Sequence, residues 1–132
     1  MPYAIGAGLA LVVCLFATSL GFDRDRAFYP TLTIVIASYY ALFAVMGGSV
    51  TALGIESAVM LLFLLASVLG FKLDLWIVVG ALGAHGVFDF LHPHLIANPG
   101  VPTWWPGFCL AYDVTAGGYL ALRLSRRPKR TP

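Results

Sequence analysis

All three histidines of the chain fall in one stretch, AHGVFDFLHPHLIANPG, residues 84–100. On a helix, His85, Asp89 and His92 stand at i, i+4 and i+7 and project from one face. Imidazole nitrogens and carboxylate oxygens are the usual donors for zinc, iron or manganese. Three or four such ligands with an open position suit hydrolytic or oxidative chemistry. His85, Asp89, His92 and His94 are therefore the candidate metal ligands, Asp89 serving either as a ligand or as the group that orients an imidazole. Glu56 and Asp113, each inside an apolar run, would supply the remaining ligand and a general base for metal-bound water. The same residues support a metal-free alternative. A buried carboxylic acid can protonate an alkene or epoxide of a lipid-like molecule while a second carboxylate or a histidine removes a proton elsewhere. On either reading the catalytic candidates are Glu56, His85 and Asp113 together with Asp89, and the reaction is that of a hydrolase or of an isomerase or cyclase.

Plainer readings stand beside these. The pattern H-x3-D-x2-H-x-H is no standard zinc signature, His85 can be satisfied by a carboxylate on a neighbouring helix, and His92 and His94 can be exposed at an interface. Cys14 and Cys109 lie in apolar runs and read as small buried hydrophobes.

The elements that must position these groups follow from composition. The chain has 132 residues, 60% apolar and 11% charged, and a mean hydropathy of +0.88. A soluble domain carries roughly a quarter charged residues, so the chain reads as an integral membrane protein. A helix crosses the hydrocarbon core with about 20 mostly apolar residues, and five such segments are present: Tyr3 to Phe22, Pro30 to Gly47, Val50 to Phe71, Leu73 to Leu91, and Thr103 to Leu124. The expected fold is all-α, a single polytopic bundle of five transmembrane helices, followed by a basic tail at 125–132. The N-terminal segment reads as the first span and not as a cleaved signal peptide, because no basic region precedes it. Merging the second and third segments would give four spans but would put Lys72 on the opposite side from Arg24. With five spans, Arg24, Arg26, Lys72, Arg123, Arg126, Arg127, Lys129 and Arg130 all share one side. Basic residues gather in cytoplasmic loops, so the N-terminus is expected outside and the C-terminus in the cytoplasm.

This topology places Glu56, His85, Asp89 and Asp113 in the outer half of the bilayer. There an ionisable group costs about 2.5–3.5 kcal/mol on insertion scales and needs a partner or a task. Pro93 is expected to end the fourth helix, leaving His94 and LIANPGVP as an outer loop that turns at Asn98, Pro99 and Gly100. Tyr39, Tyr40, Tyr112 and Asn98 are the candidate pocket residues. Trp76, Trp104 and Trp105 read as interfacial anchors. The small residues of GALGAHG, residues 80–86, and Ala116, Gly117 and Gly118 read as sites of close helix approach, with a homodimer face as the lesser alternative. The break FDRDRAFYP reads as a solvated turn before an ion-pair knot, and the tail as a topology anchor on anionic lipid without nucleic-acid binding.

FDRDRAFYPTLTIVIASYYALFAVMGGS and AHGVFDFLHPHLIANPGVPTWWPGFCLAYD resemble a family of small bacterial integral membrane proteins labelled as a domain of unknown function. The resemblance spans most of the chain and implies a multi-pass protein of the bacterial inner membrane, with no activity, cofactor or residue role attached. The membrane hydrolases that include the alkaline ceramidases have more helices and a different histidine distribution, and the chain does not match them. The functional expectation is a metal-dependent or acid–base membrane enzyme acting on a hydrophobic small molecule. A proton- or ion-coupled carrier and a structural subunit of a membrane complex are the alternatives.

Overall fold

The computed structural model describes residues 1–128. Five helices follow one another in an up-and-down order: α1 Pro2–Leu20, α2 Phe28–Met46, α3 Val50–Lys72, α4 Leu75–Leu95 and α5 Trp105–Ser125. The fold is all-helical, and α1 to α4 are each long and apolar enough to cross a membrane. Helix boundaries follow local chemistry. Gly21 closes α1 in the left-handed region at φ 83°, a conformation that favours glycine because it has no Cβ. Ser49 and Asp74 cap α3 and α4 by accepting from the backbone N–H groups of Ala52 at 3.1 Å and Trp76 at 2.9 Å.

Pro93 does not end α4, which runs two residues further to Leu95. A proline removes one donor and leaves the carbonyl four residues back without its helical partner. The loss is a single bond, at the Asp89 carbonyl, and the last turn still closes through the Ile96 N–H, which bonds the His92 carbonyl at 3.0 Å. His94 consequently lies on the exposed side of this last turn.

α5 packs between α1 and α4, α4 packs between α5 and α3, and α2 lies against α3 with a smaller contact to α4. Close approach needs small residues at particular points. A Cβ on Gly6 would collide with the backbone carbonyl of Phe108, which fixes α1 against α5. Gly86 faces Leu110 and Val114 of α5, and Gly117 faces Leu82 of α4, whereas Gly80, Gly83 and Gly118 meet nothing. Only part of the small-residue cluster therefore serves packing inside the bundle.

The exposed faces carry Leu9, Val12, Leu15 and Phe16 on α1 and Leu61, Leu62, Leu65 and Leu69 on α3, while Glu56, His85, Asp89, His92 and Asp113 are buried. This reversal of the usual soluble pattern suits a hydrocarbon surrounding. The described basic residues Arg24, Arg26, Lys72, Arg123, Arg126 and Arg127 all lie at the bundle end formed by the α1–α2 and α3–α4 turns and the end of α5. Lys129 and Arg130 of the tail lie outside the described residues.

That basic end is not a plain solvated turn. Asp23 is buried, accepts a 2.6 Å hydrogen bond from Thr18 and lies 3.5 Å from Arg123, and Thr18 also bonds the Tyr119 hydroxyl at 2.7 Å. Arg26 donates to the Phe71 carbonyl at 3.0 Å, tying the same turn to the end of α3. One ion pair forms, from Asp23 to Arg123 of α5, while Arg24, Asp25 and Arg26 are exposed and make no ion pair among the described residues. An unpaired carboxylate beside a helix bundle this apolar would be costly.

Candidate functional site

α4 presents His85, Asp89 and His92 along one buried face, as their one-turn spacing dictates. Each meets a partner from a different helix. His85 Nδ1 lies 2.5 Å from Asp113 Oδ2 on α5 and 3.4 Å from Asp89 Oδ2 on its own helix. Asp89 Oδ1 accepts a 2.6 Å hydrogen bond from the Tyr40 hydroxyl on α2. His92 Nε2 bonds Glu56 Oε1 on α3.

Tyr40 joins the upper and lower parts of this column. Its ring stacks on His92 with centroids 3.9 Å apart and planes 11° from parallel, while its hydroxyl reaches Asp89. Asn98, in the α4–α5 loop, donates to the Tyr40 carbonyl at 3.0 Å and to Glu56 Oε1 at 3.2 Å. The loop is held down by contact as well. A Cβ on Gly100 would overlap the Phe43 carbonyl of α2, so only glycine fits there. The edge of Phe63 against His85 and of Phe88 against His92, at 4.8 and 5.4 Å between centroids, closes the α3 side with hydrocarbon.

The result is a run of polar groups, Asn98, Glu56, His92, Tyr40, Asp89, His85 and Asp113, in an otherwise apolar core. His85, Asp89 and Asp113 are each at most 1% exposed. Among the described residues, Asp89 Oδ2 and Glu56 Oε2 are buried without a hydrogen-bond partner. Such orphaned oxygens cost about 1–3 kcal/mol apiece.

The column approaches two cavities. One, about 330 Å³, lies at the end where α4 gives way to α5 and is lined by His92, Asn98, Ile96 and Pro102. The other, also about 330 Å³, is a cleft between α1 and α2 with α5 as its floor, lined by Leu9, Leu32, Ile36, Tyr39, Trp105, Phe108, Cys109 and Tyr112. Cys109 stands between this cleft and the column, its thiol 3.9 Å from both oxygens of Asp113.

The four ligands expected from the sequence are not brought to one point. His92 lies seven residues beyond His85, about 10 Å along the helix axis, and is paired with Glu56. His94 is on the exposed surface. The donors that do converge are His85, Asp89, Cys109 and Asp113, all within 4.8 Å of one another. Glu56 lies with His92 and Asn98 instead of completing this set. Of the expected pocket residues, Tyr39 and Tyr112 line the cleft, Tyr40 sits in the column, and Asn98 latches the loop. Trp105 is part of the cleft wall, its ring 5.1 Å from Tyr39 and 5.0 Å from Phe43, while Trp104 is half exposed.

Cys109 is the site residue that sequence reasoning passed over. Its signal was present in CLAYD, where the thiol precedes Asp113 by one helical turn and must share its face. Phe63 and Phe88 had no signal beyond hydrophobicity. No protein-family description, curated protein or solved structure matches the chain.

Proposed function

We propose that the protein is a multi-pass membrane enzyme that carries out acid–base chemistry on a hydrophobic small molecule taken up from the bilayer. The observation that carries this reading is the buried polar column ending behind the wall of an apolar cleft, at Asp113 and Cys109. A molecule between α1 and α2 would touch Tyr39, Cys109 and Tyr112. Asp113 and His85, held by Asp89 and Tyr40, would be the groups that hold and exchange protons behind them. An isomerisation or cyclisation adds one proton and removes another, so it needs no co-reactant. The cleft's hydrocarbon lining favours this class over hydrolysis, whose water would have to cross the column from the cavity at Asn98.

In this reading α5 is the fifth span. Its Asp113 is satisfied inside the bundle by His85, and Arg123 is half exposed at the basic end, 3.5 Å from Asp23, which removes the main objection to a membrane location. The basic end is cytoplasmic by the charge rule, the N-terminus and the α4–α5 loop face outward, and the membrane is the bacterial inner membrane on the strength of the sequence resemblance. The test is incubation of the purified protein with a total lipid extract, followed by mass spectrometry with chromatographic separation of isomers. One hydrophobic species should convert to another in the presence of wild-type protein and not with Asp113→Asn. An extract unchanged by correctly folded wild-type protein refutes the reading.

A proton carrier is the second reading, and one observation favours it. Asp23, Thr18, Tyr119 and Arg123 form a polar group at the opposite end of the bundle. The two groups do not meet. Tyr119 follows Asp113 by six residues, about 9 Å of helix, and the intervening layer is Val78, Leu82, Ala116 and Leu120. Thr33 and Ser67 bond back to carbonyls of their own helices, while the buried Tyr29 hydroxyl has no hydrogen-bond partner among the described residues. Proteoliposomes with a trapped pH dye distinguish the readings: the enzyme leaves a proton gradient intact, whereas the carrier dissipates it.

A further inference from the structure

The two i, i+4 pairs at the crossing of α4 and α5 define a site of their own. His85 and Asp89 face Cys109 and Asp113, so two facing helices each contribute two donors one turn apart. Gly86 and Gly117 permit the close crossing that brings them together, with Leu82 only 3.3 Å from a Cβ added at Gly117. All four side chains are buried, and one nitrogen, one sulfur and two carboxylate oxygens fall within 4.8 Å of one another. Asp89 Oδ2, at most 3.4 Å from His85 Nδ1, is buried and has no hydrogen-bond partner among the described residues. Three potentially anionic ligands around one imidazole, in a hydrocarbon core, are poorly compensated by protein alone.

We infer that His85, Asp89, Cys109 and Asp113 form a binding site for one divalent transition metal of the zinc class. A mixed nitrogen, oxygen and sulfur donor set selects zinc or ferrous iron over magnesium, calcium or manganese, because a thiolate is too soft a ligand for the latter. Binding replaces protons: the thiol and any protonated carboxyl release theirs to water as the metal bonds to sulfur and oxygen. A four-coordinate site with bonds of about 2.0–2.3 Å sets its donors roughly 3.3–3.8 Å apart, so the 2.5 Å contact between His85 and Asp113 would open by about 1 Å and the widest separations, up to 4.8 Å, would close by a similar amount. The site includes neither His92 nor His94. A bound metal would occupy the lone pairs of His85 and Asp113 that proton exchange uses, so the metal-bound site and the acid–base site are different states of the same cluster.

The test is metal stoichiometry of the full chain, purified in detergent without a histidine tag and loaded with zinc or, separately, cobalt(II). Elemental analysis should give one metal per chain. The cobalt form should show a near-ultraviolet sulfur-to-cobalt charge-transfer band. Cys109→Ser should lose that band and weaken binding by more than about tenfold, Asp89→Asn should weaken binding comparably, and His92→Ala should retain both band and stoichiometry. Gel filtration and helical circular dichroism identify any variant that has not folded. Because Cys109→Ser and Asp89→Asn lie on different helices, either one suffices. A wild-type protein that stays metal-free under loading overturns the inference, as does binding that is indifferent to both substitutions. A metal-free protein that still converts lipid would overturn the metal alone, and a metalloprotein inert towards every lipid would overturn the enzyme alone.

Discussion

Removing the Tyr40 hydroxyl isolates one bond of the buried column without disturbing its packing. In Tyr40→Phe the ring stays stacked on His92, and only the 2.6 Å bond to Asp89 Oδ1 is lost. Asp89 Oδ2 already lacks a hydrogen bond, so the variant leaves the carboxyl with the 3.4 Å contact to His85 alone. The magnitude depends on the charge of the acceptor. A bond to an ionised group contributes about 1.5–3 kcal/mol, whereas interhelical bonds between neutral groups in membranes average about 0.6 kcal/mol. Asp89 is 0% exposed, so losing the donor leaves a buried oxygen unsatisfied, a cost of about 1–3 kcal/mol. The assay is equilibrium unfolding in mixed micelles on wild type, Tyr40→Phe, Asp89→Ala and the double variant. A coupling energy of about 1–3 kcal/mol is expected. Losses that add to within about 0.3–0.5 kcal/mol would show that the two residues do not interact, and would refute the column as drawn.

Other perturbations reach different parts of the molecule. Gly100→Ala should destabilise the protein by about 1–3 kcal/mol, because its Cβ would overlap the Phe43 carbonyl, and should speed amide exchange in the 96–104 loop; unchanged exchange would contradict a docked loop. Asn98→Ala should likewise loosen that loop, with a loss of about 1–3 kcal/mol from its two hydrogen bonds to the Tyr40 carbonyl and Glu56 Oε1, read by the same unfolding assay. In a chain carrying Cys14→Ala and Cys109→Ser, Thr103→Cys should react with a membrane-impermeant maleimide on intact cells and Asp25→Cys only after lysis. The reverse pattern would invert the topology. Glu56→Gln should keep the hydrogen bond from Asn98, whereas Glu56→Ala should lose about 3–5 kcal/mol by leaving His92 buried without its acceptor.

The sequence carried the elements well because a bilayer asks for long apolar segments and penalises any other. All five helices lie within a few residues of the expected segments, the largest departure being at the end of α4, which runs to Leu95 where Leu91 was expected. The face of α4 was equally legible, since His85, Asp89 and His92 at one-turn spacing must point together. Their partners were not. Which residue of α3 His92 meets depends on the axial offset between α3 and α4, which no local pattern encodes. Cys109 was hidden by a sound generalisation, that a cysteine in an apolar run packs as a hydrophobe. Asp23 was hidden by another, that charges beside a loop are solvated, which failed because Thr18 and Arg123 converge on it from two helices.

The order of the chain gives the buried column a bearing on biogenesis. Helices reach the membrane from the N-terminus onward, so Tyr40 on α2 and Glu56 on α3 are already in place when α4 emerges. Asp89 and His92 can therefore pair as soon as α4 docks, while His85 must wait for Asp113 on the last helix. Each unpaired polar group adds a cost of kilocalories to insertion. The least settled moment in the assembly of this bundle is thus the interval before α5 is synthesised, and a chain truncated after the α4–α5 loop would carry its cost at a single imidazole.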